Sequence, residues 1–214
     1  MSASAPAIAA IRLEPLALCF KGERDYVQGG DLVEAVSGVA RRELGSRVAR
    51  FQVAVHRFFR AQPDLHWGMT NDARGFARPA AAGADFTVLA DGPALCGWLS
   101  ESTRAVDRRV PFDEPGIAAR CKIDGDAIAL RAQTGFLPIE VAVSMTKALH
   151  NARLPADSGR WIFTKLDLQR LLQPRDGADL AVELKGNLHG RLTKSEIRAA
   201  GQPIGWIYFS LLPA

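Results

Sequence analysis

Apolar positions first gather between Leu13 and Phe20, a short run that predicts a buried strand, and the polar stretch Lys21 to Gly30 that follows predicts a loop. Leu32, Val33, Ala35, Val36, Val39 and Ala40 then recur at helical spacing. Asp31 stands where an N-cap is wanted, Glu34 lies three residues on, and Gly45 is a natural stop. From Ala49 the period changes to two, with Phe51, Val53 and Val55 against Arg50 and Gln52, so a half-buried strand is expected to run on through Arg57-Phe58-Phe59. Gln62 to Ala84 is polar and rich in Ala, Gly and Pro and reads as a long loop or an insertion over a site. Strand signals return at Asp85 to Leu89 and Leu95 to Leu99, and Asp124-Gly125 predicts a hairpin turn between Ala119 to Ile123 and Ala127 to Ala132.

Pro138 suits the first turn of a second helix, expected from Ile139 to about Asn151. Ile139, Val141, Ala142, Val143, Met145, Ala148 and Leu149 leave it little polar face, so it should be mostly buried. Strands are then expected at Trp161 to Leu168, Leu180 to Lys185, Gly190 to Ala199 and Ile204 to Leu211.

The order strand, long helix, long strand, hairpin-connected strands thus occurs twice. Ala35-Val36-Ser37 in the first helix matches Ala142-Val143-Ser144 in the second, 107 residues on, and Val55-His56-Arg57-Phe58-Phe59 shares its pattern with Leu168-Gln169-Arg170-Leu171-Leu172, 113 residues on. A strand leading into one apolar helix that antiparallel hairpins must wrap resembles the hotdog fold, and two copies resemble the double-hotdog proteins. The closing hairpin, Glu196 to Tyr208, has the look of a final hotdog strand pair. The expected class is α+β, two hotdog-like repeats, each an antiparallel sheet wrapped around one long apolar helix. Residues 1–10 would be a disordered tail, 11–134 the first unit with its loop insertion, and 135–214 the second. An unrelated α+β domain of mixed sheet and two helices is the alternative architecture.

Composition narrows the partners. The chain has 214 residues, 48% hydrophobic and 23% charged, with 27 Lys plus Arg against 23 Asp plus Glu, a formal charge of +4. That is an ordinary globular balance, basic enough to favour an acidic partner without requiring one. The three cysteines, Cys19, Cys96 and Cys121, are odd in number and widely spaced, as expected of structural thiols in a reducing cytoplasm. No signal-peptide pattern opens the chain, and no window approaches the ~18 apolar residues of a membrane span.

The resemblance implies an acyl thioester of coenzyme A or acyl carrier protein as partner, handled by a dehydratase, thioesterase or acyltransferase; whether this chain is catalytic stays open. A homodimer and pairing within one chain are both compatible with it. Hotdog dehydratases use a His near the start of the helix with a carboxylate on the paired helix, and this chain has no His in either expected loop, nor the hydratase signature. In some double-hotdog enzymes a tyrosine serves in place of that pair, so the resemblance makes Tyr26 a candidate catalytic phenol. Its thioesterase branch uses an Asp or Glu on the central helix, which makes Glu140 or Glu34 a candidate carboxylate. His150 is either a general base or an imidazolium capping the second helix. Lys21, Arg24, Lys185 and Arg191 are candidates for gripping the phosphates of the carrier arm. His56 reads as a polar-face residue of its strand, and the four histidines show no metal-ligand spacing, so neither a metal nor a further cofactor is implied. Nucleic-acid binding through exposed aromatics such as Trp67 or Phe76 ranks lower, since no recognition motif accompanies the charge, and a non-enzymatic scaffold is the other alternative.

Overall fold

The computed structural model describes residues 10–73, 78–154 and 159–213. The expected tail lies almost wholly outside the described residues, as does Phe76. The chain divides into two compact units, residues up to Pro111 with Gln169–Leu171, and Phe112–Leu168 with Leu172 onward. The division expected at 134 falls inside the second unit. The hairpin of β8 (Cys121–Asp124) and β9 (Ala127–Leu130) pairs through β9 with β11 (Leu180–Leu188), which ties residues 121–130 to the second half of the chain.

In the first unit α1 (Gly29–Leu44) supplies the apolar stripe read from the sequence, with Leu32, Val33, Val36, Val39, Ala40 and Leu44 all buried. It begins two residues before the expected cap. Gln28 is the N-cap, and Asp31 instead pairs from the first turn with the Lys21 ammonium. Gly45 ends the helix as expected, at φ 59°, where its N–H donates to the Arg41 carbonyl. The strands are β1 (Arg12–Pro15), β3 (Val48–Val55), β4 (Ala61–Thr70), β5 (Ala84–Ala90) and β6 (Ala94–Ala105), antiparallel in the order β1-β4-β6-β5-β3. A short parallel pair, β2 (Phe20–Lys21) and β7 (Arg109–Val110), accompanies them.

Three readings are corrected here. The segment after Ala61 is not a long loop: β4 runs for ten residues, paired on both sides, and Leu65 and Trp67 alternate inward against the half-buried Asp64 and His66. Pro63 disguised it, and the strand tolerates that proline through a register shift between Ala61 and Pro63 while the Pro63 carbonyl accepts from the Leu16 N–H at 3.0 Å. Trp67, expected among exposed aromatics, is buried because its inward position on β4 faces the core. The strand at Ala49 also stops at Val55 instead of continuing, and Phe59 makes only an isolated bridge to Val27.

The second unit holds α2 (Glu114–Ala119), which the hydrophobic pattern did not announce, and α3 (Pro138–Arg153), which starts at the expected proline and runs two residues past Asn151. Asp113 caps α2 by accepting from the Gly116 N–H at 2.8 Å. Beyond α3 come β10 (Arg160–Leu168), β11, β12 (Leu192–Ala199) and β13 (Gln202–Leu212), antiparallel in the order β10-β13-β12-β11-β9-β8. The β12–β13 turn consists of Ala200 and Gly201, at φ 50° and 72°, the pattern of a type I′ hairpin, so Pro203 lies within the strand. In β8–β9 the two turn residues are Gly125 and Asp126, one place later than expected, with Gly125 at φ 54°. Each unit thus contains one sixteen-residue helix, and the chain is a mixed α/β structure dominated by antiparallel sheet.

Candidate functional site

The most unusual chemistry lies along α3. Ile139, Val141, Ala142, Met145 and Leu149 bury it as expected, but four polar side chains go inside with them: Glu140, Ser144, Thr146 and His150. Two are satisfied locally. The Glu140 carboxylate accepts from the Leu137 N–H at 2.8 Å and closes the first turn, and the Thr146 hydroxyl donates to the Ala142 carbonyl at 2.7 Å.

His150 is different. Its ring is fully buried, 4.7 Å from the Trp161 ring and 5.3 Å from that of Phe209, with Phe163 next in the aromatic row at 6.0 Å from Phe209. Neither ring nitrogen has a hydrogen-bond partner among the described residues, and the Ser144 hydroxyl, the Ser195 hydroxyl and the Trp161 indole N–H are buried in the same condition. Phe209 is opposite Thr193 and Ile207 is opposite Ser195 in the β12–β13 register, so these hydroxyl-bearing residues share the sheet face that meets α3. Burial pushes the His150 ring down to about 4, so it is neutral at physiological pH. Of the two roles read from the sequence, the capping imidazolium does not fit: tertiary packing strips the ring of water, and burial disfavours its charged form.

A neutral imidazole has one N–H and one lone pair, and leaving both unpaired in the interior costs about 1–3 kcal/mol per group. The arrangement can donate to a carbonyl oxygen or accept from a hydroxyl. It is a poor general base, because proton abstraction near neutrality favours a group that titrates near neutrality.

The structure does not unite the other candidates with it. Glu140 and His150 are ten positions apart on one helix, about 15 Å along its axis, so they form no acid–base pair. Lys21, Arg24 and Tyr26 cluster at the entry to α1 in the first unit. There Lys21 is tied to Asp31, the Arg24 carbonyl accepts from Arg109 at 2.8 Å, and Tyr26 packs on Phe58 with ring centroids 4.4 Å apart. Glu34 pairs with Arg41 at 2.6 Å. In the second unit Lys185 pairs with Glu183 at 2.5 Å, while Arg191 stands exposed in the β11–β12 turn. His56 lies just past β3, 2.6 Å from Asp85. Among the described residues no group of three metal-ligating side chains occurs, and no helix is long and apolar enough to cross a membrane. Sequence reasoning missed Ser195 and Trp161 altogether. Ser144 surfaced only as part of the repeated Ala-Val-Ser triplet, because periodicity reports that a position is buried and not whether its polar atom finds a partner.

No family model matches the chain, and no curated protein is significantly similar to it in sequence. Solved structures are similar in fold. The dehydratase domain of the polyketide PpsC from Mycobacterium tuberculosis aligns with a TM-score of 0.52 at 10% identity over 95% of this chain and 93% of that one. The same domain in complex with C12:1-CoA gives 0.51 at 10% identity over 94% and 93%. A trans-AT PKS dehydratase domain from Brevibacillus brevis also gives 0.51 at 10% identity over 94% and 93%. These are hotdog-fold proteins, and the likeness is one of fold.

Proposed function

We propose, from the hotdog fold the chain shares with those dehydratase domains, that it binds and processes an acyl thioester of coenzyme A or acyl carrier protein, as a dehydratase, thioesterase or acyltransferase. The observation that carries the proposal is His150, buried on α3 among aromatic and aliphatic side chains, with neither ring nitrogen partnered among the described residues. One of the similar dehydratase domains was solved with an acyl coenzyme A.

In this reading each unit is one hotdog repeat, and the acyl chain lies against the apolar side of α3. His150, neutral because it is buried, donates its N–H to the thioester carbonyl oxygen. Water elimination through an enolate and acyl transfer through a tetrahedral adduct both place negative charge on that oxygen, so one fixed donor in a water-poor interior serves either branch. Ser144 and Ser195 are the nearest chemical candidates for a second hydrogen bond. The Glu140 carboxylate is used as a helix cap and is not assigned a catalytic part. Arg191, with Lys185, Lys21 and Arg24 beside it, is proposed for the phosphates of the carrier; the ammonium groups of Lys185 and Lys21 are already in ion pairs, which makes these two the weaker candidates. Tyr26 is retained as a phenol to be tested by Tyr26→Phe. The reading places the protein in the cytoplasm and is compatible with a homodimer.

Thermal unfolding with free coenzyme A, short and long acyl coenzyme A, acyl carrier protein loaded with the same chains, and a short single-stranded nucleic acid tests this directly. A ligand at 100 times its Kd adds about 2.7 kcal/mol, a rise of about 5–11 °C for a chain of this length. That rise is expected with an acylated carrier and not with nucleic acid, and His150→Phe should remove turnover while leaving the chain folded. Silence with every acylated carrier, or a salt-sensitive shift with nucleic acid alone, would overturn the proposal.

A further inference from the structure

The first unit presents a second chemical group on the face of its sheet that points away from α1. Inward positions of β4, β5 and β6 carry Leu65, Trp67, Phe86, Val88, Leu95 and Leu99, all buried. The alternate positions point outward, and register aligns them. His66 is opposite Leu13 of β1 on one side and Trp98 of β6 on the other, and Trp98 is opposite Asp85 of β5. Two residues along, Asp64 is opposite Ser100.

Within this row His66 Nε2 lies 2.9 Å from the Ser100 hydroxyl oxygen. The imidazole is clamped face to face on the Trp98 indole, with centroids 4.8 Å apart and planes 7° from parallel. On its other flank stands Leu13, whose side chain is 57% exposed. Partial burial lowers the His66 ionisation from its ordinary value, and the Asp64 charge opposes that only in part. Asp64 is itself engaged by Arg104 at 2.6 Å. With the proton on Nδ1, the Nε2 lone pair is turned to the Ser100 O–H. This is the relation between a hydroxyl nucleophile and its base, with the base held in orientation by a stacked ring.

We propose that Ser100 and His66 form a nucleophile–base pair on the outer face of the first unit, and that Ser100 accepts an acyl group from an activated acyl ester or thioester whose chain lies on Leu13 and Trp98. In the step the Ser100 oxygen bonds to the acyl carbon as the bond from that carbon to the leaving oxygen or sulfur breaks. The hydroxyl proton passes to His66 Nε2 and from there to the leaving group. The product is an O-acyl serine, cleared by water or by a second acceptor. The proposal is independent of the interior site on α3: it uses other residues, and it stands or falls without them.

Incubating the full chain with p-nitrophenyl butyrate tests it, by following p-nitrophenol release and mapping the acylated peptide by mass spectrometry. One butyryl group per chain is expected, on Ser100. His66→Gln should slow the acylation by about 100-fold, the scale of a positioned general base, and Ser100→Ala should abolish it. Ser100→Cys keeps a nucleophile of similar size at the same place and should acylate as a thioester that neutral hydroxylamine cleaves, so the proposal remains testable if the alanine variant does not fold. Acylation confined to lysines, no acylation at all, or an undiminished rate in His66→Gln would overturn it, leaving the His66–Ser100 bond as a cross-strand tie.

Discussion

The two long helices, each of sixteen residues and each packed by antiparallel strands, make opposite use of their buried faces. α1 buries Leu32, Val33, Val36, Val39 and Leu44 with Ser37, and its charges are paired: the largely buried Asp31 with Lys21, Glu34 with Arg41, and Arg42 with Glu14 at 2.7 Å. α3 buries an equally apolar set together with Glu140, Ser144, Thr146 and His150, and leaves the serine hydroxyl and both imidazole nitrogens unpartnered. The sheets differ too. In the second unit the strands that follow the helix are ordered β11, β12, β13, β10, so that neighbours in space are mostly neighbours in sequence. In the first unit the corresponding order is β4, β6, β5, β3, in which β4 pairs with β6 and not with β5. The buried polar atoms of α3 that lack a partner among the described residues are thus a serine hydroxyl and both nitrogens of an imidazole, whereas α1 meets its buried charge with an ion pair. Uncompensated burial costs stability, and Ser144 and His150 bring three such atoms to α3, which is the observation the proposed function rests on.

The largest effect should come from two glycines that occupy comparable close approaches. A Cβ on Gly205 would stand 2.2 Å from the Asp167 carbonyl oxygen and 2.7 Å from the Leu168 Cα, at a φ of 148° that other residues avoid. A Cβ on Gly97 would stand 2.1 Å from the His66 carbonyl oxygen and 2.5 Å from the Phe86 ring, without that backbone demand. Gly205→Ala is expected to cost about 4 kcal/mol and Gly97→Ala about 2 kcal/mol, read from urea midpoints. Equal losses would mean that the two sheets make the same demand on their glycines.

Next comes the pH dependence of stability. His150 ionises at about 4 in the folded chain against 6.5 as its ordinary value. Between those values the unfolded chain binds a proton that the folded chain refuses, so stability is complete above about pH 6.5 and falls as the pH is lowered toward 4, by about 3 kcal/mol at about 1.4 kcal/mol per unit. His150→Phe should flatten that slope and leave stability at pH 7 unchanged or raised, since two unpartnered nitrogens leave the interior. His66 contributes a slope of the same sign from the first unit, because burial lowers its ionisation as well. A full slope surviving in His150→Phe would place the protonation elsewhere.

The smallest effect belongs to the exposed side of α1. Glu34→Gln removes an ion pair whose partners are both about one-third exposed and should cost less than about 0.5 kcal/mol by the same urea midpoints. A larger loss would show that the charged face of α1 carries weight the comparison denies it.

Much of this architecture is legible in the chain because it depends on period. Apolar residues at helical spacing with Pro138 and Gly45 as punctuation fix both helices to within a turn, and the alternation from Phe51 to Val55 fixes β3. Where a local signal contradicts the period, the reading fails: Pro63 hid β4, and the polar residues near Glu114 hid α2. The candidate site was legible only in part. His150 can be singled out by type, and its place at the end of an apolar helix is visible, but the sequence left its charge state open and did not show which side chains surround it.

Residue order therefore determined which segments become helix or strand and which faces are apolar, because those properties follow from neighbours three or four positions apart on a helix and two on a strand. The tertiary structure decided which polar atoms find partners. Trp161 and Phe209 reach His150 only when β10 and β13 fold against α3, and Ser100 reaches His66 only across the β4–β6 register. Hydrogen bonding and desolvation act over a few ångströms of space, whatever the separation along the chain, so the contacts of His150 and of His66 appear only once distant strands are side by side.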